Sequence, residues 1–184
     1  MTNPPHCHAA GCYSVALSGR HSVNIRSYHS GDLHALTELT IATFGPFYED
    51  HFRPLVGEVI FAHQHGRWAD DYRAMVPALH DPVAGKHVAV AETGDGAIAG
   101  YVGWTADPVK RHGEVVILAV AEARRRGHLG RALCQYAFDD MTQKNVEVVT
   151  IGTGGTDSFH APARALYESM GFVPVHVAVY FRQL

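Results

Sequence analysis

The run Glu114–Val120 (EVVILAV) constrains the fold more than any other stretch of the chain. A near-continuous β-branched run of this length reads as a central strand buried on both faces. The segment AEARRRGHLG follows at once, and then a helical pattern through Leu129, Leu133, Tyr136, Ala137 and Met141. A strand buried on both faces needs a layer on each side, and a helix directly after it supplies one. The chain therefore reads as α/β.

The flanking segments agree. Val23 to Tyr28 alternates as a strand. Ser30 offers an N-cap for a helix through Leu33, Leu36, Leu39 and Phe44, with Gly45-Pro46 as its stop. Residues 47–79 are aromatic and mixed in charge. Trp68, Tyr72, Met75 and Leu79 share a helical face there, and Asp81-Pro82 and Gly85 close the stretch. His87–Glu92 and Ile98–Thr105 form a hairpin around Thr93-Gly94-Asp95-Gly96. Val146–Ile151 is a further strand, followed by a glycine-rich loop and a helix over Ala161–Met170. Two short strands, at 172–175 and 179–182, end the chain. The order of elements gives a mixed sheet.

One domain is the expectation for 184 residues, with 1–21 as a flexible extension and 22–184 as the folded unit. A hydrophobic share of 47% supports a sizeable core. The net charge of -3 speaks against a nucleic-acid partner. No apolar run has the roughly 20 residues that span a bilayer, so no membrane role is expected. No secretory pattern opens the chain, and Cys7, Cys12 and Cys134 are too few for a disulfide framework. A cytoplasmic protein follows. His6-Cys7-His8 with Cys12 is the best metal candidate, but it sits in the extension without a second ligand pair. No metal is expected.

The chemistry-bearing feature is the arginine–glycine turn between strand and helix. A helix N-terminus offers unpaired N–H groups and about half a positive charge, which suits a phosphate. The turn lacks both GxxxxGK[ST] and GxGxxG. A solvated arginine turn is the alternative.

LAVAEARRRGHLGRAL resembles the acyl-coenzyme A signature of the GCN5-related N-acetyltransferases (GNAT), and HAPARALYESMGF resembles that family's downstream helix segment. In the preferred register Arg125 opens the signature and Gly130 ends it, with His128 at the middle glycine. The register one residue away places Gly127 there instead. His160 stands where the family often has Asn. The resemblance implies a mostly antiparallel sheet of six to seven strands, about four flanking helices and splayed central strands. It implies acetyl-CoA as co-substrate, with the pantetheine arm along Leu118, Ala119 and Val120. The pyrophosphate would lie on Arg125, Arg126, Gly127, His128, Leu129, Gly130 and Arg131. His160, Ala163 and Tyr167 would complete the cofactor site. Glu114 would be the base, and Tyr167 the acid for the leaving thiolate. Phe44, Tyr48 and Trp104 would line the acceptor pocket, and a homodimer is compatible with the family. The implied activity is transfer of acetyl to a primary amine of a small molecule by direct attack. Acetylation of a peptide amine and a non-catalytic acyl-CoA-binding module are the alternatives. Cys134 reads as a buried structural thiol.

Overall fold

The computed structural model describes residues 13–16, 22–155 and 157–184. In chain order the elements are β1 (Tyr13–Ala16), β2 (Ser22–Ser27), α1 (Leu33–Pro46), a π-helical turn (Phe47–Phe52), α2 (Arg53–Val56), α3 (Glu58–His65), α4 (Trp68–Met75), β3 (Lys86–Thr93), β4 (Ile98–Asp107), β5 (His112–Val120), α5 (Leu129–Gln143), β6 (Val148–Ile151) and α6 (Ala161–Ser169). They build one six-stranded sheet in the order β1-β2-β3-β4-β5-β6. Every pairing is antiparallel except β5 with β6, which is parallel.

Each sheet face carries its own core. On one, Leu129, Leu133, Ala137 and Met141 of α5 meet Val23, Ile25, Val102 and Trp104. On the other, Leu36 of α1 with Val76 and Leu79 meets Val90, Tyr101, Ile117 and Ala119. The Tyr101 hydroxyl is buried but satisfied, 2.5 Å from Thr40 Oγ1, which itself donates to the Leu36 carbonyl.

Three expectations are corrected. The extension is not featureless over its whole length: Tyr13–Ala16 pairs with β2 as an edge strand. His6, Cys7, His8 and Cys12 lie outside the described residues. Gly45-Pro46 does not stop the first helix. The helix runs through Pro46 into the π-helical turn, where the Arg53 N–H reaches back five residues to the Tyr48 carbonyl, and Gly57 at φ 81° ends the path. Pro46 removes one backbone bond at the end of α1, and the Phe47 N–H closes that turn on the Phe44 carbonyl. Gly45 serves packing instead: a Cβ there would lie 3.1 Å from the Trp68 ring. Finally, the two C-terminal strands do not form. Val173, Val175, Val177 and Val179 are 71% to 85% exposed. Alternation alone makes no strand without a partner edge, and Pro174 withholds a donor.

Candidate functional site

The parallel pair β5–β6 is short. His112, Gly113, Glu114 and Val115 face Val148, Val149, Thr150 and Ile151, and β6 ends there while β5 runs on to Val120. The β6 side of residues 116–120 is therefore open, and alternate residues present their backbone N–H and C=O groups to it. Ligands of sheets with parallel strands bind at such carboxyl ends, where neighbouring strands part. The splayed central strands expected from the sequence are present.

A bulge decides which side chains face where. Gly103 opposes Ile117 but Trp104 opposes Val115, so Val116 is the extra residue, and it is 41% exposed. Below the bulge Val115 faces α5; above it Leu118 and Val120 do, while Ile117 and Ala119 face α1. Glu114, next to Val115, therefore faces the α1 side together with Ile117 and Ala119. It is exposed, opposite Thr105 and Thr150 of the neighbouring strands.

Beyond Val120 the chain enters the arginine–glycine turn. The Arg125 Nε donates to the Val120 carbonyl at 3.1 Å, and Arg131 donates to Ser169 at the end of α6. These two arginines brace the turn, whereas Arg126 makes no such bond among the described residues. The left-handed residues are Arg126 (φ 62°) and His128 (φ 64°); Gly127 is not one of them. His128 thus occupies the backbone conformation that glycine favours, and it caps α5. Among the described residues, the N–H groups of residues 126–131 have no acceptor. Leu129 is 1% exposed and Ala119 is fully buried, so neither presents a side chain to solvent. Gly130 packs against Leu166, with Leu118 and Val120 behind it.

Tyr167 lies on α6, against Phe172. Burial, and after it neighbouring Cys134, pushes its phenol well above the ordinary range. It therefore keeps its proton at neutral pH. Cys134 is a free thiol with no exposure, and burial pushes it up to about 12, against a small opposing pull from Arg131. It is an inert core residue.

The loop from β6 to α6 contains a pairing that the sequence reading missed. His160 Nδ1 is 2.7 Å from Asp157 Oδ1, and the ring of Phe47 lies edge-on to it at 4.6 Å. Phe159 packs on both Phe47 and His160. The D-x-x-H spacing was the available signal, but a three-residue separation in a loop says nothing about what packs against it. Ala163, on the first turn of α6, is partly buried.

Of the three acceptor-pocket candidates, the structure brings two together. Phe44 stacks on Tyr72 at 5.2 Å and Tyr48 on Trp68 at 5.1 Å. Tyr48 and Tyr72 also touch edge to face. Trp104 does not join them. It is 4% exposed on the opposite face, and its Nε1 donates to Asp140 of α5. The register of β4 sends odd and even residues to opposite faces, which separates Trp104 from the α1 side. The acidic residues nearby are engaged: Glu49 pairs with Arg53 at 2.9 Å and Asp70 with Arg73 at 2.9 Å.

Comparison with known proteins agrees with this geometry. Residues 34–172 match the model of the Acetyltransferase (GNAT) family. A mycothiol acetyltransferase from Beutenbergia cavernae is 38% identical over 88 residues, which is 48% of this chain and 28% of that protein. The chain thus covers only a little over a quarter of that relative's length. Among solved structures, a protein ascribed to the GNAT family from Desulfovibrio desulfuricans superimposes with a TM-score of 0.62 at 22% identity, over 84% of this chain and 87% of that one. AAC(6')-Iy, solved with the bisubstrate analogue CoA-S-monomethyl-acetylneamine, gives 0.59 at 13% identity over 88% and 98% of the two chains. These two likenesses speak for the fold, and the family match covers most of the chain. A divergent parallel strand pair, an unpaired N–H row at the start of α5 and a match over residues 34–172 lead to one conclusion: the chain belongs to the GNAT acetyltransferase family.

Proposed function

We propose that the protein moves acetyl from acetyl-CoA to a primary amine of a small molecule by direct attack. The observation that carries this reading is the opening of β5 from β6 beyond Val115 and Ile151. It leaves a slot lined by strand backbone, and the row of free N–H groups on residues 126–131 follows β5. An extended amide-bearing arm fits the first and an anionic pyrophosphate the second. In this reading Leu118, Ala119 and Val120 pair with the arm. Arg126 and the backbone of residues 125–131 hold the phosphates. Ala163 and His160 close the α6 side.

Two residues handle protons around the leaving thiol and the incoming amine. Tyr167 is neutral and partly buried, so its phenol can protonate the departing thiolate. Glu114, exposed on the α1 side, is the carboxylate through which an acceptor entering as its ammonium form sheds a proton to solvent. Phe44 and Tyr48 stand on that same side, stacked on Tyr72 and Trp68. No helix among the described residues is long and apolar enough to cross a membrane.

The test is direct. Calorimetry should show the chain binding acetyl-CoA, and thiol release should rise when aminosugars, aminoglycosides, polyamines or dipeptides are added. Position 127 has room for a side chain and no left-handed φ, its nearest neighbour being the Arg124 carbonyl at 3.7 Å. Gly127→Asp should therefore fold, yet place a carboxylate where the phosphates bind. Its acetyl-CoA affinity should fall by about tenfold or more, about 1.4 kcal/mol. Unchanged affinity would remove the turn from the cofactor site. Binding without turnover for any amine would favour the binding-module alternative.

A further inference from the structure

His160 is held by one ring nitrogen. Its Nδ1 lies 2.7 Å from Asp157 Oδ1, and its backbone N–H donates to the same oxygen at 2.9 Å. A carboxylate acceptor makes Nδ1 the protonated nitrogen and leaves the lone pair on Nε2. Nε2 has no hydrogen-bond partner among the described residues, and the side chain keeps 15% exposure.

The loop is shaped around this pair. Arg164 donates to the carbonyls of Gly154 and Asp157, at 2.8 and 2.7 Å. Glycine at 154 leaves room for the pair, since a Cβ there would run into the Asp157 carboxylate and the His160 ring. Burial opposes ionisation of Asp157, but the hydrogen bonds from the His160 backbone and ring outweigh it and hold the carboxyl below its usual range. Asp157 and Arg164 face the imidazole from its own loop and helix. From the π-helical turn the contact is apolar, through Phe47, and His51 lies one ring away across Phe159. The pair thus sits where the loop leaving β6 meets the turn that follows α1, just past the point where β5 and β6 part.

An imidazole oriented by a carboxylate, with one nitrogen free, is built to accept a proton. Resting on the N-acetyltransferase reading above, we infer that His160, oriented by Asp157, is the catalytic base that takes the proton from the attacking amine. The amine nitrogen bonds to the thioester carbonyl carbon and the carbon–sulfur bond breaks. The proton lost by nitrogen passes to His160 Nε2, and the thiolate takes one from Tyr167. His160 then returns its proton through water and the Tyr167 phenolate regains one, so a neutral amine gives amide and thiol with no net proton released. Asp157 is a positioning residue, since it acts through the ring.

The experiment uses the full chain, acetyl-CoA and whichever amine of the panel above gives the fastest thiol release. His160→Gln should lower kcat by about 100-fold or more, with little change in the KM for acetyl-CoA. It should also lose the acid limb of the kcat profile, which reports the enzyme–substrate complex. Glu114→Gln should keep that limb and alter the one in kcat/KM for the amine. Added imidazole should restore part of the rate of His160→Ala. Asp157→Asn should lower kcat less and shift the limb. Where His160→Gln melts early, His160→Asn, which can keep a bond to Asp157, carries the same comparison. A normal kcat and pH profile, or a raised KM for acetyl-CoA at unchanged kcat, overturns the inference and leaves the N-acetyltransferase reading standing. A wild-type chain inactive with every amine overturns both.

Discussion

On one face of the sheet α5 packs by aliphatic contacts at helical spacing: Leu129, Leu133, Ala137 and Met141 are each at most 1% exposed. On the other face, α1 and the irregular stretch to α4 meet through rings: Phe44 on Tyr72, Tyr48 on Trp68, Phe47 on His160. Regular aliphatic packing fixes a backbone closely, and the α5 face is where backbone N–H groups would have to meet phosphates. The ring face is built from α1, a π-helical turn and short helices, and the stacked rings of Phe44, Tyr48, Trp68 and Tyr72 are only partly buried. Such a surface can change its side chains without losing the fold. In the proposed reading the cofactor lies on the regular face and the acceptor amine on the ring face.

Four substitutions break or sharpen that contrast, from the largest expected effect to the smallest. Tyr167→Phe keeps the ring against Phe172 and removes only the phenolic proton, so kcat should fall by roughly 10²–10⁴-fold at a nearly constant KM for acetyl-CoA. Steady-state kinetics decides it, and an unaffected kcat would put the thiolate's proton elsewhere. Leu133→Ala and Tyr48→Ala set the two faces against each other. Leu133, fully buried and in contact range of the Gly100 backbone, should cost about 2–5 kcal/mol in a denaturant melt. Tyr48→Ala should melt near the parent and raise the KM for the amine instead; a large loss of stability would make the ring face part of the core. His128→Gly relieves a left-handed residue and should raise stability by up to about 1 kcal/mol with acetyl-CoA affinity retained. A loss of affinity would show that the imidazole, and not just its backbone, serves the cofactor.

The same contrast explains what was legible beforehand. Glu114–Val120, the turn and α5 were readable because each repeats a local pattern, and the two signature segments flank them. Trp104 was misplaced because a strand shows its alternation but not which face is which; Asp140, 36 residues away, holds it on the α5 side. The Pro46 stop failed because a proline forbids only one hydrogen bond, and the path continues with the Phe47 N–H on the Phe44 carbonyl. The C-terminal valines looked like strand because β-propensity describes a residue, whereas pairing needs a partner edge. Asp157 went unnoticed because a carboxylate gains its meaning from the ring it holds, and Phe47, more than a hundred residues earlier, completes that setting.

By itself, then, the amino-acid sequence determined the α/β order, the central strand, the phosphate-suited turn, the long amphipathic helix and the positions of Tyr167 and His160. The first four rest on periodicity and on residue types within one stretch, and the two residue positions rest on the family resemblance. Tertiary structure alone decided the bulge at Val116, the point at which β5 leaves β6, the left-handed placement of Arg126 and His128, and the meeting of His160 with Asp157 and Phe47. These depend on where a neighbouring strand ends and on which distant ring fills a gap. Contacts of that kind are made only when segments far apart in the chain pack together.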